Sequence, residues 1–147
     1  MFDLSEIRAG LAAQMAALGQ TLELIVSPYM LASPNSPGIE VMGPDEITYD
    51  VANQRGGDSV TMIVRAFTGL VSAELAQINL DKLIDTSGAN SMKAALEQKG
   101  VGEHTVTLGG ACDDLRVIKC SGYMVYPRSG GEAFLGAEWV VQVETTG

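Results

Sequence analysis

Residues 115–144 read LRVIKCSGYMVYPRSGGEAFLGAEWVVQVE, and they decide the fold. Leu115 to Tyr126 and Glu132 to Glu144 are two long strands. Pro127-Arg128-Ser129-Gly130-Gly131 between them is a hairpin loop, because glycine and proline punctuate the chain there. The second strand has a clean period of two. Leu135, Ala137, Trp139, Val141 and Val143 face one way, and Gly136, Glu138, Gln142 and Glu144 face the other. One face of this hairpin is therefore covered, and Trp139 belongs to the core. Each strand would run roughly 40 Å at about 3.3 Å per residue. Typical strands have about 5–6 residues, so part of the hairpin should project, with Tyr126 and Phe134 flanking its tip as apolar anchors.

Upstream, Ser59 to Phe67 alternates in the same way, with Val60, Met62, Val64 and Ala66 on one face. Ile39–Met42 and Ile47–Val51 read as two further strands around a Gly43-Pro44-Asp45 turn. Arg55-Gly56-Gly57-Asp58 reads as another turn. At the amino end, Leu4, Ile7, Leu11, Met15 and Leu18 share one helical face. Asp3 caps that helix with Glu6 in capping-box position, and Gly19 is its expected left-handed end. Thr21 to Ser27 reads as a short strand. Pro28 to Gly38 holds Pro28, Pro34 and Pro37, so it is a loop, and Tyr29, Met30 and Leu31 on it either tuck onto the core or meet a partner. Ser72 is placed to cap a second helix reaching about Ile84, and Ser91 a third running through Lys99. Val101 to Gly110 connects onward, with a short strand conceivable at His104 to Leu108. The order α-β-β-β-β-α-α-β-β predicts an α+β fold over residues 1–147 as a single domain. Its sheet is mixed and mostly antiparallel, with helices on one face.

Composition narrows the function classes. The chain has 147 residues, 46% of them apolar and 18% charged, and a mean hydropathy of +0.17. Disorder needs the opposite balance. No apolar run reaches the roughly 18–20 residues of a membrane helix, and Met1 to Gly10 has no basic cluster of a signal peptide. The net charge of -9 opposes a sequence-independent grip on nucleic acid, which needs many Lys and Arg. Residues 1–54 hold seven acids and one base, a balance of -6, which leaves -3 for the rest. Cys112 and Cys120 are expected to be free, buried thiols.

Catalytic candidates are weak. His104 is a lone histidine in a glycine-bearing connection. Asp113-Asp114 lacks further acidic ligands at matching spacing, and Asp81 and Asp85 read as a solvated helix end. Gly109-Gly110 lacks both the dinucleotide-loop spacing and the lysine of a phosphate loop. Two Cys and one His do not make a four-ligand zinc site, and neither a metal nor a cofactor is expected. Residues alone lead to a non-catalytic α+β interaction module.

A longer pattern adds to this. VTMIVRAFTGLVSAELAQINLDKLIDTSGANSMKAALE, over residues 60–97, precedes Leu108-Gly109-Gly110, Asp114 to Val117, Ser121 to Tyr123 and Leu135 to Trp139. Within it stand Val64-Arg65-Ala66-Phe67-Thr68-Gly69, the Val71, Ser72, Ala76, Gln77 helix start, and Ser87, Gly88, Ser91 and Lys93 to Glu97. In this order, across about residues 39–144, they resemble the tail terminator proteins of long-tailed bacteriophages, especially those infecting actinobacteria. The loop from Pro28 to Pro37 matches in character only, and His104 lies in a longer connection than the family pattern has.

The resemblance implies a structural virion protein at the tail–neck junction, not an enzyme. It implies a hexameric ring that caps the tail tube, stops its growth and joins the tail to the head. The implied partners are further copies of the chain, the major tail tube protein on one side and a head–tail stopper or connector on the other. Viral DNA would pass through the bore without being held. Tyr29, Met30, Leu31, Tyr126, Arg128 and Phe134 are then candidate partner contacts. Glu40, Asp45, Glu46 and Asp50 are candidate acids facing the lumen. Another neck component is the alternative within this class; a small ligand-binding or hydrolase domain is the alternative outside it.

Overall fold

Two long antiparallel ladders set the architecture. The computed structural model describes residues 3–30, 37–49, 57–70, 72–127 and 133–146. In chain order these form α1 (Leu4–Leu22), β1 (Ile25–Ser27), β2 (Gly38–Thr48), β3 (Gly57–Leu70), α2 (Glu74–Ile84) and α3 (Met92–Leu96). A 3-10 turn (Leu108–Gly110), β4 (Asp114–Pro127) and β5 (Ala133–Thr146) follow. The strands make one open five-stranded sheet in the order β1-β2-β3-β5-β4. β1 runs parallel to β2, and every other pair is antiparallel. This is the expected α+β class with its long carboxy-terminal hairpin.

All three helices lie on one face. The period-two stripes Val60, Met62, Val64, Ala66 on β3 and Ala137, Trp139, Val141, Val143 on β5 point into that layer. They meet Ile7, Leu11, Met15 and Leu18 of α1, Leu80 and Leu83 of α2, and Met92 and Leu96 of α3 in a single apolar cluster. Trp139 is 2% exposed there, which makes it core as its stripe predicts.

Local chemistry shifts several expected boundaries. Asp3 Oδ1 does accept the Ser5 and Glu6 amides at 2.9 and 3.3 Å and caps α1. The helix ends at Glu23 (φ 57), not at Gly19, and the Leu24 amide closes the turn on the Gly19 carbonyl at 2.8 Å. Gly19 serves close approach instead: a Cβ there would stand 2.6 Å from Val26 Cγ2 and 2.7 Å from the Leu24 carbonyl oxygen. The short strand is accordingly Ile25–Ser27, since Thr21 and Leu22 remain helical.

β2 is one strand where two around a turn were expected. Gly43 (φ +119) and the Pro44–Glu46 step are irregularities inside it, and the register to β3 shifts at both. Pro44 is tolerated because β1 covers β2 only along Gly38–Glu40, so no ladder amide is needed at the outer side of Pro44. Asp58 belongs to β3 rather than to a turn; residues 51–56 lie outside the described residues. α2 starts one residue later than Ser72 implied. Ala73 holds the cap position, and among the described residues no side chain caps it. α3 stops at Leu96, short of Lys99, because Gln14 Nε2 of α1 donates to the Ala95, Leu96 and Gln98 carbonyls at 3.3, 3.3 and 2.8 Å. His104 to Leu108 is a bend and irregular chain leading into the 3-10 turn rather than a strand.

Candidate functional site

The sheet face away from the helices carries the polar chemistry. Arg65 and Glu138 are direct cross-strand partners in the β3–β5 register. Arg65 Nε and Nη2 donate to Glu138 Oε2 at 2.9 and 2.5 Å, and Arg65 Nη1 lies 4.0 Å from Glu40 Oε1 on β2. The guanidinium also stands 4.8 Å from the Tyr126 ring centre and 5.9 Å from that of Phe67. Tyr126 meets Phe67 edge to face at 5.4 Å, and its hydroxyl donates to the Gly122 carbonyl at 2.7 Å. Burial, with the Glu138 carboxylate nearby, pushes the Tyr126 phenol above its ordinary range. Gly136 makes room for these rings, since a Cβ there would lie 3.0 Å from Phe67 Cδ1 and 3.1 Å from Tyr126 Cδ2. The sequence held the signal for this network: Arg65 and Glu138 both sit on the polar phase of alternating strands, where opposite charges attract across a ladder.

The network changes the roles expected of three residues. Phe134 is 3% exposed, paired with Tyr126 and Leu70, and therefore a packed residue rather than a presented anchor. Tyr126 is half-buried and engaged with its own chain. Glu40 is 3% exposed beside Arg65, which corrects its placement among acids facing an open bore. Tyr29 and Met30 are open, at 54% and 60%. Arg8 of α1 holds that segment in place. Its Nη1 donates to the Pro28 and Val41 carbonyls at 3.0 Å each, and its guanidinium carbon lies 5.1 Å from the Tyr29 ring centre. Leu31, Asp50 and Arg128 lie outside the described residues.

Two unlike edges flank the open face. On one side, among the described residues, β2 beyond Glu40 has no strand outside it, and it carries exposed Asp45 and Glu46. On the other side β4 ends the sheet. Glu97 Oε2 accepts the outward Val117 amide at 2.8 Å and closes the start of that edge. Beyond it the register slips between Val117 and Lys119 and again between Ser121 and Met124. β4 exposes Arg116 and Lys119. Between the edges lies a trough of about 460 Å³, floored by Ile63 and Val140, with Pro44 and Asp45 on one wall and Lys119 and Ser121 on the other. Exposed large apolar side chains gather at both edges: Ile25, Tyr29, Met30 and Tyr49 at β1–β2, and Ile118, Tyr123, Met124 and Val125 on β4. Sequence reading missed this pairing of edges because strand order, not strand content, puts β2 and β4 at opposite margins.

The remaining chemical candidates stay apart. His104 is exposed in its turn. Asp81 Oδ1 accepts the Tyr123 hydroxyl at 3.0 Å and ties α2 to β4. Among the described residues no three or more of His, Cys, Asp and Glu gather as a metal site would require. Nor is any described helix long and apolar enough to cross a membrane. Cys112 is buried, its thiol directed at the Val106 carbonyl at 3.3 Å, whereas Cys120 is free and exposed on β4, against the expectation that both are buried. Compared with family models and with curated proteins, the chain matches none.

Proposed function

We propose that the chain is a tail terminator of a long-tailed bacteriophage, a non-enzymatic virion protein. In this reading copies of it form a hexameric ring on the last ring of the tail tube, halt tube growth and join the tail to a stopper or connector at the head. The ordered run of motifs across about residues 39–144 supports the family. The structural observation that carries the reading is a sheet left open at two unlike margins. A closed ring of identical subunits needs two different, complementary surfaces on each copy, because a self-complementary patch stops at a dimer. Imaging the purified protein, alone and with tubes of the major tail protein, tests this. The expected result is discrete rings and tubes of arrested length with a ring at one end. A persistent monomer beside tubes that lengthen unchecked would overturn it.

A further inference from the structure

The acidic β2 edge and the basic β4 edge each expose charges that, among the described residues, take part in no ion pair. We propose that these two edges bind each other between copies, with Arg116 and Lys119 on β4 of one copy set against Asp45 and Glu46 on β2 of the next. The inference rests on the ring reading and deepens it by naming the surfaces in contact.

Charge favours this pairing over the others. β4 (Asp114–Pro127) carries two bases and one acid, Asp114 at its first residue, and Glu97, which reaches this edge, is paired with Lys93; residues 38–49 contain three acids and no base. Glu40 is turned to Arg65, which leaves Asp45 and Glu46 outward. Two β2 edges together would oppose acid to acid, and two β4 edges would bring together Arg116 and Lys119 of both copies, so neither self-complementary arrangement matches charge as the unlike pairing does. The unlike pairing is attractive and repeats head to tail.

Geometry places the charges in one layer. Arg116 pairs with Gln142 and Lys119 with Val140, while Glu46 pairs with Thr61, all on the phase that faces away from the helices. Asp45 and Lys119 both line the trough on that face. Two sheets set margin to margin with their open faces continuous therefore bring acids to bases, and a flipped copy does not. Continuation of the backbone ladder is blocked, because Pro44 lacks an amide hydrogen and both edges are irregular. The contact is made by side chains, with Ile118 and Met124 on one edge and Tyr49 on the other supplying apolar area. Asp45 and Glu46 then belong to the contact rather than to the bore.

The test uses two charge-reversed variants of the full chain, R116E/K119E and D45K/E46K, with mass in solution read by light scattering. Wild type should assemble. Each variant alone should stay monomeric, with apparent affinity weakened on the order of a hundredfold, since facing like charges cost several kcal/mol. Mixed in equal amounts the two variants should regain the wild-type mass, because every junction in an alternating assembly is complementary again. Wild-type assembly should also weaken as salt rises toward 1 M, where the Debye length is about 3 Å. Variants that assemble alone, a mixture that stays monomeric, or salt-insensitive wild-type assembly would each overturn the edge assignment. Ring formation and tube capping by wild type would survive those results, so failure of the edges is distinguishable from failure of the tail-terminator reading. A wild-type chain that never assembles overturns this inference outright, with tube capping then judged separately.

Discussion

Trp139 lies opposite Val64 in the β3–β5 ladder, with its side chain inside the helix-covered layer. Replacing it with Ala removes the largest fully buried side chain and should cost about 3–5 kcal/mol, read as a lowered denaturant midpoint. Cys112 makes a second, pH-dependent contribution. Burial, reinforced by the carboxylates of Asp113 and Asp114, pushes its thiol from an ordinary 9.0 up to about 12. A raised folded-state value means that the neutral thiol is favoured by folding. Its stabilisation is complete below pH 9 and is lost as pH climbs from there toward 12. Denaturant titrations at about pH 8 and about pH 11 should show a smaller loss for Cys112→Ala than for wild type. Equal losses would remove the claim. Trp139 was legible from its stripe alone. Glu40 was not, because an acid in a strand reads as exposed until the register brings Arg65 beside it.

Among the elements, β3 and β5 were readable from sequence because each has one fully covered face and one half-polar face, which prints a period of two. β2 was not. Gly43 and Pro44 are turn residues in most settings, and only a margin position lets a strand absorb them as irregularities. The helix ends misled for a related reason: Gly19 and Ser72 carry the right chemistry for caps, yet α1 runs on past Gly19, which packs against Val26 and Leu24, and α2 takes Ala73 as its cap. Gly19 yields a test with a reversed sign. Gly to Ala inside a helix ordinarily gains about 1 kcal/mol. In α1 the added methyl would press on Val26 and on the Leu24 carbonyl, so Gly19→Ala should instead destabilise by about 1–3 kcal/mol, seen as a lower melting temperature.

For the whole molecule, net charge is the dominant long-range property. At -9 per chain, six copies around a bore would repel phosphate unless bases were concentrated on the inner wall. The purified protein is expected to show no binding of duplex DNA even on the order of 50 mM salt, where cationic surfaces bind most tightly. A gel-shift or anisotropy signal at that salt would contradict this. In the proposed edge contact Arg116 and Lys119 would lie between subunits, which would take two exposed bases off the free surface.

β5 follows every other described strand in sequence, yet it lies inside the sheet, between β3 and β4. Gly57 waits for Thr146, and Val60 waits for Val143. During synthesis the apolar stripe of β3 therefore has no ladder partner on that side until β5 has left the ribosome. Contacts this distant in sequence form slowly. A nascent chain halted after Pro127 should remain protease-sensitive and clump through its unfilled β3 margin, whereas extension through Thr146 should confer protection in one cooperative step. Chaperone dependence during translation, more than any weakness of the finished sheet, is then the expected vulnerability of this protein.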